Sequence, residues 1–341
     1  MRDNAASVQI NRRALLGAAL AASAATPLAL RAQPKYTLKY ATNVIADNPL
    51  NIRLAEAFSR IKQETNGAVV IELFPNGQLG SDTDMLSQLR SGALDMMTLS
   101  SVILSTLVPS CAIVGVGFAF PSYDAIWAAM DGGLGERLRA DIAKAGLYAQ
   151  PRIWDLSFKE LTSSKGPIRT PEDLKGFKLR VPPGPLWTSL FKAFDAAPTT
   201  INMNEAYSAL QTKIVDGTEL PLTTFYYAKL YEVQKYISLS RHMWDGWWSL
   251  SNRKMWEGLP QDVRAVIAKH LDQSALDHRA DIARVEASLV KELSAKGMQI
   301  IDIDQKPFRA KLQAAGFYKE WKGRFAPELW QTLEKYTGAI A

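Results

Sequence analysis

The sequence feature that most constrains the fold is a long helical pattern from about Leu259 to Lys296. Apolar residues recur there mostly at intervals of three or four, and Gly297 follows as a typical helix end. A helix of about 37 residues rises roughly 55 Å, which exceeds the width of one ordinary domain. The pattern therefore predicts a single helix that runs across two lobes.

Strand and helix patterns alternate from Tyr36 onward. Strands are predicted at YTLKYAT, VVIELF and DMMTLSS, and the helices between them begin near Pro49 and after Ser81. Asp84 lies three residues after Ser81, which is the spacing of a capping box. This β-α-β-α-β order predicts a mostly parallel sheet with helices on its faces. The segment 102–124 is apolar and contains several Gly and Pro residues, and we expect a packed loop plus a strand there.

A second series of strand and helix patterns begins near residue 158. The segments 154–158 and 241–248 lie between the two series, and we expect the chain to cross between lobes at both. The resulting prediction is a two-lobed α/β protein. Lobe I comprises residues 33–157 plus 246–285, and lobe II comprises residues 158–245 plus 286–341.

Residues 1–32 have the pattern of a signal peptide. Arg12 and Arg13 precede an Ala-rich apolar run, and Leu30-Arg31-Ala32 is suited to cleavage. Paired Arg is typical of a twin-arginine signal, and an ordinary general-secretion signal is an equal alternative. The run is too short and too rich in Ala for a good membrane anchor. We therefore expect the protein to be exported and the segment to be removed.

The charge of the chain gives no indication of nucleic-acid binding. Residues 1–32 contribute +3 of the formal net charge of +6, so +3 remains after their removal. No basic run or basic helix face is left in the remaining sequence.

Common enzyme motifs are absent from the sequence. It contains no GxSxG motif, no Walker loop and no complete dinucleotide-binding glycine pattern. His270 and His278 lie on the long helical pattern without a third metal ligand, so we expect surface positions for both. Asp82 and Asp84 are explained as helix-start charges, and Cys111, in an apolar segment, as a buried thiol. These observations favour a binding function without a cofactor.

The segment 170–221 supplies the strongest candidate site. Thr170 and Pro171 are suited to begin a short helix, and the following FKLRV has the alternation of a short strand. Arg180 therefore lies at the end of a strand, where open α/β sheets place their ligands. An Arg there can hold a carboxylate through two parallel hydrogen bonds. The residues alone leave a surface Arg open as the alternative.

Tryptophan residues concentrate near the two crossings. Trp154 lies at the first, and Trp244, Trp247 and Trp248 lie at the second. Adjacent residues on a strand face opposite sides, so one of Trp247 and Trp248 can pack in the core while the other meets a cleft. Ligand sites favour such domain interfaces, although core packing is an alternative for each side chain.

Five motifs follow one another along the chain: FPNGQLGSD, QLRSGALDM, TPEDLKGFKLRVP, YSALQTKIVDG and VQKYISLSRH. In this order and spacing they resemble the solute-binding proteins of tripartite ATP-independent periplasmic (TRAP) transporters, of the C4-dicarboxylate-binding type. The resemblance covers nearly all of the chain after the signal segment. It implies an α/β, two-lobed periplasmic binding protein fold, type II-like, with two hinge crossovers and a long helix spanning both lobes. It also implies periplasmic capture of a small organic acid and its delivery to membrane permease subunits.

The resemblance assigns expectations to individual residues. Arg180, within LKGFKLRVP, falls on the family's carboxylate-binding Arg. Lys159 falls where many members have a second Arg, after one inserted residue at Gly166 is allowed, and Lys keeps the charge but loses the planar fork. Leu220 stands where many members have the Asn of a D-G-x-E-N-P motif, and Met203 where they often have an aromatic residue.

These departures predict a less polar pocket than that of sugar-acid or dicarboxylate relatives. We expect Arg180 to hold one carboxylate, and Leu220, Met203 and Trp247 to contact an apolar or aromatic body. The ligand hypothesis is a monocarboxylate such as an aromatic or branched 2-oxo or hydroxy acid. Some oxo-acid-binding members hold the ligand through a metal ion, and in that alternative Glu219 would contribute a metal ligand.

Two function classes stay open beside transport. One is an exported enzyme that acts on small organic acids, and the other is a partner that presents its ligand to a membrane sensor kinase. A homodimer formed through the long helix also stays open.

Overall fold

Strands and helices are interspersed along residues 33–340, which are the residues that a computed structural model of the chain describes. The strands are β1 (Tyr36–Ala41), β2 (Val69–Phe74), β3 (Met96–Ser100), β4 (Leu147–Ala149), β5 (Trp154–Ser163), β6 (Lys178–Val181), β7 (Ala197–Thr200), β8 (Gly217–Leu220), β9 (Tyr236–Asn252) and β10 (Gln299–Asp302). The helices are α1 (Pro49–Glu64), α2 (Asp82–Ser91), α3 (Ser101–Leu104), α4 (Tyr123–Met130), α5 (Gly133–Lys144), α6 (Pro185–Ala193), α7 (Met203–Gln211), α8 (Leu222–Tyr227), α9 (Arg253–Gly258), α10 (Gln261–Ala295), α11 (Gln305–Ala314), α12 (Phe317–Arg324) and α13 (Pro327–Thr337).

The sheet consists of two parallel groups joined by two long antiparallel strands. The strand order is β2-β1-β3-β9-β5-β8-β6-β7, and β4 and β10 also pair with β9. β1 is parallel to β2 and β3, and β6 is parallel to β7 and β8. β5 and β9 run antiparallel between the groups, from Trp154 opposite Trp247 to Ser163 opposite Tyr236. This arrangement confirms the two-lobed α/β fold, and both predicted crossing segments lie within β5 and β9.

The pairing of β5 with β9 is interrupted twice near the centre. The register shifts between Asp155 and Ser157 and again between Lys159 and Leu161. Ser157 and Arg241 have φ angles of 76° and 42°, which are unusual for residues other than glycine. Buried carboxylates accept the backbone hydrogens there: Asp155 from the N–H of Ser157 at 2.8 Å, and Glu160 from the N–H of Arg241 at 2.9 Å.

The long helix α10 has 35 residues and a length of roughly 52 Å. Near its start, Ile267 and Leu271 join the apolar core around α1, β1 and β2. Near its end, Leu289 and Leu293 join the separate core around α7, α8 and β10. One helix therefore contributes to both lobes, as the periodicity predicts. The bounds of the lobes given above stay a prediction.

The segment 102–124 differs from its prediction. It contains most of α3, a 3-10 helix at Pro109–Gly115 and the start of α4, and no strand is found in this described segment. Ser100 caps α3 by accepting a hydrogen bond from the N–H of Ile103 at 3.2 Å. Most of the run is apolar because it packs in the core, rather than because it enters a sheet.

The two histidines of α10 also differ from each other. His270 is partly exposed and lies 2.8 Å from a carboxylate oxygen of Glu64. The expected surface position of His278 is wrong, because α10 packs against β5 and encloses its ring beneath Trp154 and Trp247. Burial lowers the pKa of His278 to about 3, so the side chain is neutral at physiological pH.

Several local predictions are confirmed. Ser81 and Asp84 form the capping box at the start of α2, with the N–H of Ser81 donating to Asp84 at 3.0 Å. Cys111 is buried with a free thiol. Within residues 33–340, no helix combines the length and the apolar character needed to cross a membrane. The predicted signal peptide, residues 1–32, lies outside the described residues.

Candidate functional site

A small cavity lies between the two halves of the sheet, at the crossing strands. Asp82 and Ser100 line the wall that belongs to the β1–β3 half, and Arg180 and Leu220 line the opposite wall. Lys159 of β5 and Trp247 of β9 line the region between them. Its volume of about 30 Å³ holds no more than a few water molecules. An organic acid therefore enters only if the walls move apart.

Arg180 lines the cavity, where it can bind a ligand carboxylate as the sequence predicts. It lies on β6 between β7 and β8, and its side chain is 1% exposed. Its Nε donates to the carbonyl oxygen of Ile201 at 2.9 Å, whereas Nη1 is buried with no hydrogen-bond partner among the described protein atoms. Burial lowers the pKa of Arg180 to about 10, opposed by the charges of Glu219 and Asp82. The guanidinium therefore stays charged at neutral pH, with hydrogens left to donate.

Lys159 places a second cation at the same cavity. It lies on β5 opposite Met243, and only 2% of it is exposed. Its ammonium group lies 5.1 Å from the ring centroid of Trp187, a distance suited to a cation–π interaction. Asp245 lies behind it: burial raises the pKa of Asp245 to about 6, and the charge of Lys159 acts against this increase.

Three further predicted residues line the cavity together with these cations. Leu220 ends β8, Met203 begins α7, and Trp247 lies on β9. Trp187, Ile103, Val44 and Pro182 extend the apolar part of the lining. The cavity therefore has an apolar portion beside its charged groups.

Glu219 and Trp154 are not among the residues that line the cavity. Successive side chains on a strand face opposite sides, so Glu219 points away from the side of β8 that carries Leu220. The Glu219 carboxylate lies 3.5 Å from Nε2 of His242, in a fully buried position. Trp154 is fully buried, with its ring 5.3 Å from that of His278. Neither side chain therefore faces the cavity.

Asp82 lines the cavity although the sequence indicated only a helix-start charge. It begins α2 as predicted, but it is only 2% exposed. Its Oδ2 accepts a hydrogen bond from Asn43 at 2.9 Å, while Oδ1 has no partner among the described protein atoms. Burial raises the pKa of Asp82, and the hydrogen bond from Asn43 and the charge of Arg180 oppose this. No local signal revealed this role, since the burial depends on the opposite wall.

The metal-bridged alternative has limited support from the protein side chains. Within residues 33–340, no three His, Cys, Asp or Glu side chains are grouped in a way that would hold a metal ion. Glu219, the residue suggested for this purpose, does not line the cavity.

The buried acid Glu160 predicts a pH-dependent stability. Burial raises its pKa to about 8, against the opposing hydrogen bond from Arg241, and the charge of Glu286 adds to the increase. The side-chain pKa of Glu in an unfolded chain is about 4.3, so the folded state binds the Glu160 proton more tightly than the unfolded state does. The stability that this group contributes is complete below about pH 4.3 and is lost as the pH rises towards 8.

We therefore expect the Tm to fall from pH 5 to pH 8, and Glu160→Gln to reduce that fall. Gln keeps an oxygen for the Arg241 N–H but does not ionise. Thermal unfolding of both proteins across this range measures the effect, and Glu172→Gln, at an exposed position, serves as the control. An equal fall of Tm in wild type and Glu160→Gln would contradict the assignment.

The sheet order, the two crossing strands and the cationic cavity between the lobes define a two-lobed solute-binding protein. The chain belongs to the DctP family, bacterial extracellular solute-binding protein family 7, whose model matches residues 40–321. The resemblance to TRAP solute-binding proteins is thereby confirmed.

Individual relatives differ in the ligands named for them. The C4-dicarboxylate-binding periplasmic protein DctP of Rhodobacter capsulatus is 32% identical over 278 residues, which cover 80% of this chain and 82% of that protein. A TRAP periplasmic solute-binding protein of Ralstonia eutropha H16, solved with bound (S)-2-acetolactate, is 29% identical with a TM-score of 0.83, covering 89% of this chain and 98% of that one. A third, from Xanthobacter autotrophicus Py2 with bound beta-D-galacturonate, is 28% identical with a TM-score of 0.83, covering 89% and 99%.

Proposed function

We propose that this chain is the extracytoplasmic solute-binding subunit of a TRAP transporter and that it captures a small monocarboxylate between its lobes. The observation that carries the proposal is the guanidinium of Arg180, which is anchored at Nε and has a buried, unpartnered Nη1 at the cavity. A carboxylate matches that group because its two oxygens accept two parallel charge-assisted hydrogen bonds.

The other lining residues favour a monocarboxylate with an apolar body. Two cations, Lys159 and Arg180, line the cavity against one carboxyl group, Asp82, so the lining favours an anionic ligand. Leu220 and Met203 offer no polar partner to the hydroxyl groups of a sugar, and the uncharged polar part of the lining is limited to Asn43, Ser100 and Thr224. We therefore favour an aromatic or branched 2-oxo or hydroxy acid. The relative with bound acetolactate, a branched hydroxy-oxo acid, supports this choice, and sugar acids and C4-dicarboxylates are the rival ligands.

Capture would proceed by closure of the lobes about β5 and β9. In the open state Arg180 is hydrated, and the ligand replaces that water with charge-assisted hydrogen bonds. Burial of its apolar body adds about 25 cal/mol for each Å² removed from water. The ligand then shifts the population towards the closed state. We place the protein in the periplasm, where it would pass the acid to the membrane subunits of its permease.

A panel of organic acids tests this function by thermal shift. We expect branched or aromatic 2-oxo or hydroxy monocarboxylates to raise the Tm, since a ligand that binds only the folded state stabilises it in proportion to the logarithm of its concentration over Kd. Succinate and galacturonate are the controls for the rival classes. Stabilisation by these two and not by monocarboxylates would refute the ligand class, and turnover of a bound acid would indicate an enzyme instead.

A further inference from the structure

A second, larger cavity adjoins the cavity of Arg180. We call it the vestibule and define it by residues of the two facing walls: Ile45, Asn76, Asn204, Tyr207, Tyr227 and Ala228. Its volume is about 350 Å³. Four side chains line both cavities: Asn43, Val44, Met203 and Thr224. The two spaces therefore adjoin each other at these shared residues.

The vestibule has polar lining residues, among them Asn48, Asn204 and Lys229, but its apolar and aromatic side chains suit a bulky apolar group. Ile45 and Val44 face it from one wall, and the rings of Tyr207 and Tyr227 face it from the other. The hydroxyl of Tyr207 donates to Glu232 at 2.8 Å, and Tyr227 packs edge-on against Tyr226 with ring centroids 5.4 Å apart. Each ring therefore has a contact that limits its movement, which lowers the cost of ordering it around a ligand.

The vestibule is larger than the inner cavity by an order of magnitude, and this difference suits each space to a different part of the ligand. The inner cavity of about 30 Å³ adjoins the charged groups, and a wall movement that admits a carboxylate there is smaller than one that would admit a ring as well. The vestibule of about 350 Å³ is ample, because an apolar cavity of about 150 Å³ already binds benzene. Aromatic ligand groups also gain from edge-to-face contacts with Tyr side chains.

We propose that the ligand occupies both spaces, with its carboxylate at Arg180 and an aromatic body in the vestibule. This inference rests on the proposed function and narrows its ligand class to acids whose aryl group is joined to the carboxylate by a short chain. Met203 and Val44 then pack against that chain, where the two spaces meet.

Titration calorimetry with lactate and 3-phenyllactate tests the vestibule, since the two acids differ only in the ring. We expect wild-type protein to bind phenyllactate at least about 10-fold more tightly, because the ring is removed from water. Ala228→Phe would fill the vestibule without touching the inner cavity, weakening phenyllactate about 10-fold and lactate less than 2-fold. Ser208→Phe, at an exposed position on α7 outside the vestibule, is the matched control.

The outcomes separate this inference from the proposed function. Equal affinities of wild type for the two acids, or unchanged phenyllactate binding by Ala228→Phe, would overturn the vestibule assignment and leave monocarboxylate capture standing. Binding of galacturonate or succinate but of neither test acid would overturn both. If Ala228→Phe does not fold, Tyr207→Ala replaces it, with the same selective loss of phenyllactate affinity expected from removal of a wall.

Discussion

Arg180→Ala is expected to weaken monocarboxylate binding by at least about 100-fold. The change removes two charge-assisted hydrogen bonds, each contributing about 1.5–3 kcal/mol, and leaves Lys159 as the remaining cation of the cavity lining. Arg180→Lys should recover only part of the affinity, since Lys retains the charge but lacks the planar fork. Titration calorimetry with a monocarboxylate from the thermal-shift panel measures both effects.

The control for Arg180→Ala separates lost recognition from general electrostatics. Arg169→Ala removes the same charge at an exposed position directly before the segment 170–221, and it should leave the affinity within about 2-fold of that of the wild type. The Tm of Arg180→Ala without ligand shows whether the fold is intact, since Nε also bonds the carbonyl of Ile201. Near-normal affinity in a folded Arg180→Ala protein would refute the carboxylate site.

Gly217→Ala is expected to destabilise the protein by about 3 kcal/mol. Gly217 begins β8, the strand that carries Leu220 to the cavity. A β-carbon there would lie 1.9 Å from the carbonyl oxygen of Thr162 and 2.9 Å from the ring of Phe177. A carbonyl in the neighbouring strand β5 cannot retreat without distorting the β5–β8 pairing, so the strain reaches the binding site.

Chemical denaturation measures this loss, with Gly166→Ala as the matched control. An added β-carbon at Gly166 meets no atom within 4 Å, so its effect should be within about 0.5 kcal/mol. If Gly217→Ala unfolds at the same denaturant concentration as Gly166→Ala, the close approach of β5 and β8 is not a constraint. A lower Tm together with weaker ligand binding would link the strand contact to the site.

The fold was predictable largely because its signals are local and periodic. The spacing of apolar residues in α10 and the capping box of Ser81 and Asp84 are properties of short segments, and both are confirmed. The segment 102–124 was not predictable, because an apolar run has the same composition in a buried strand as in a buried helix. The burial of His278 depends on β5, a strand more than a hundred residues earlier.

The residues of the candidate site were likewise predictable only where their signal is local. Arg180 and Leu220 were identified through contiguous motifs, and the structure brings them to one cavity with Lys159, Met203 and Trp247. The face of the sheet on which a residue lies follows from strand register, which the sequence did not resolve for Glu219. Asp82 was missed because its burial arises only when the opposite lobe covers the start of α2.

The interruptions in the pairing of β5 and β9 affect how easily the two strands bend. Where Ser157 and Arg241 leave the ladder, the carboxyl groups of Asp155 and Glu160, both on β5, already accept hydrogen bonds from their N–H groups, so a bend there breaks few backbone hydrogen bonds. Lobe closure by bending at these two points would therefore need no hydrogen bond from the ligand. Substitutions among the lining residues, such as Leu220 in place of Asn, can then change the ligand specificity while the bending points stay the same. A single architecture is in this way able to serve acids as unlike as acetolactate and galacturonate among its relatives.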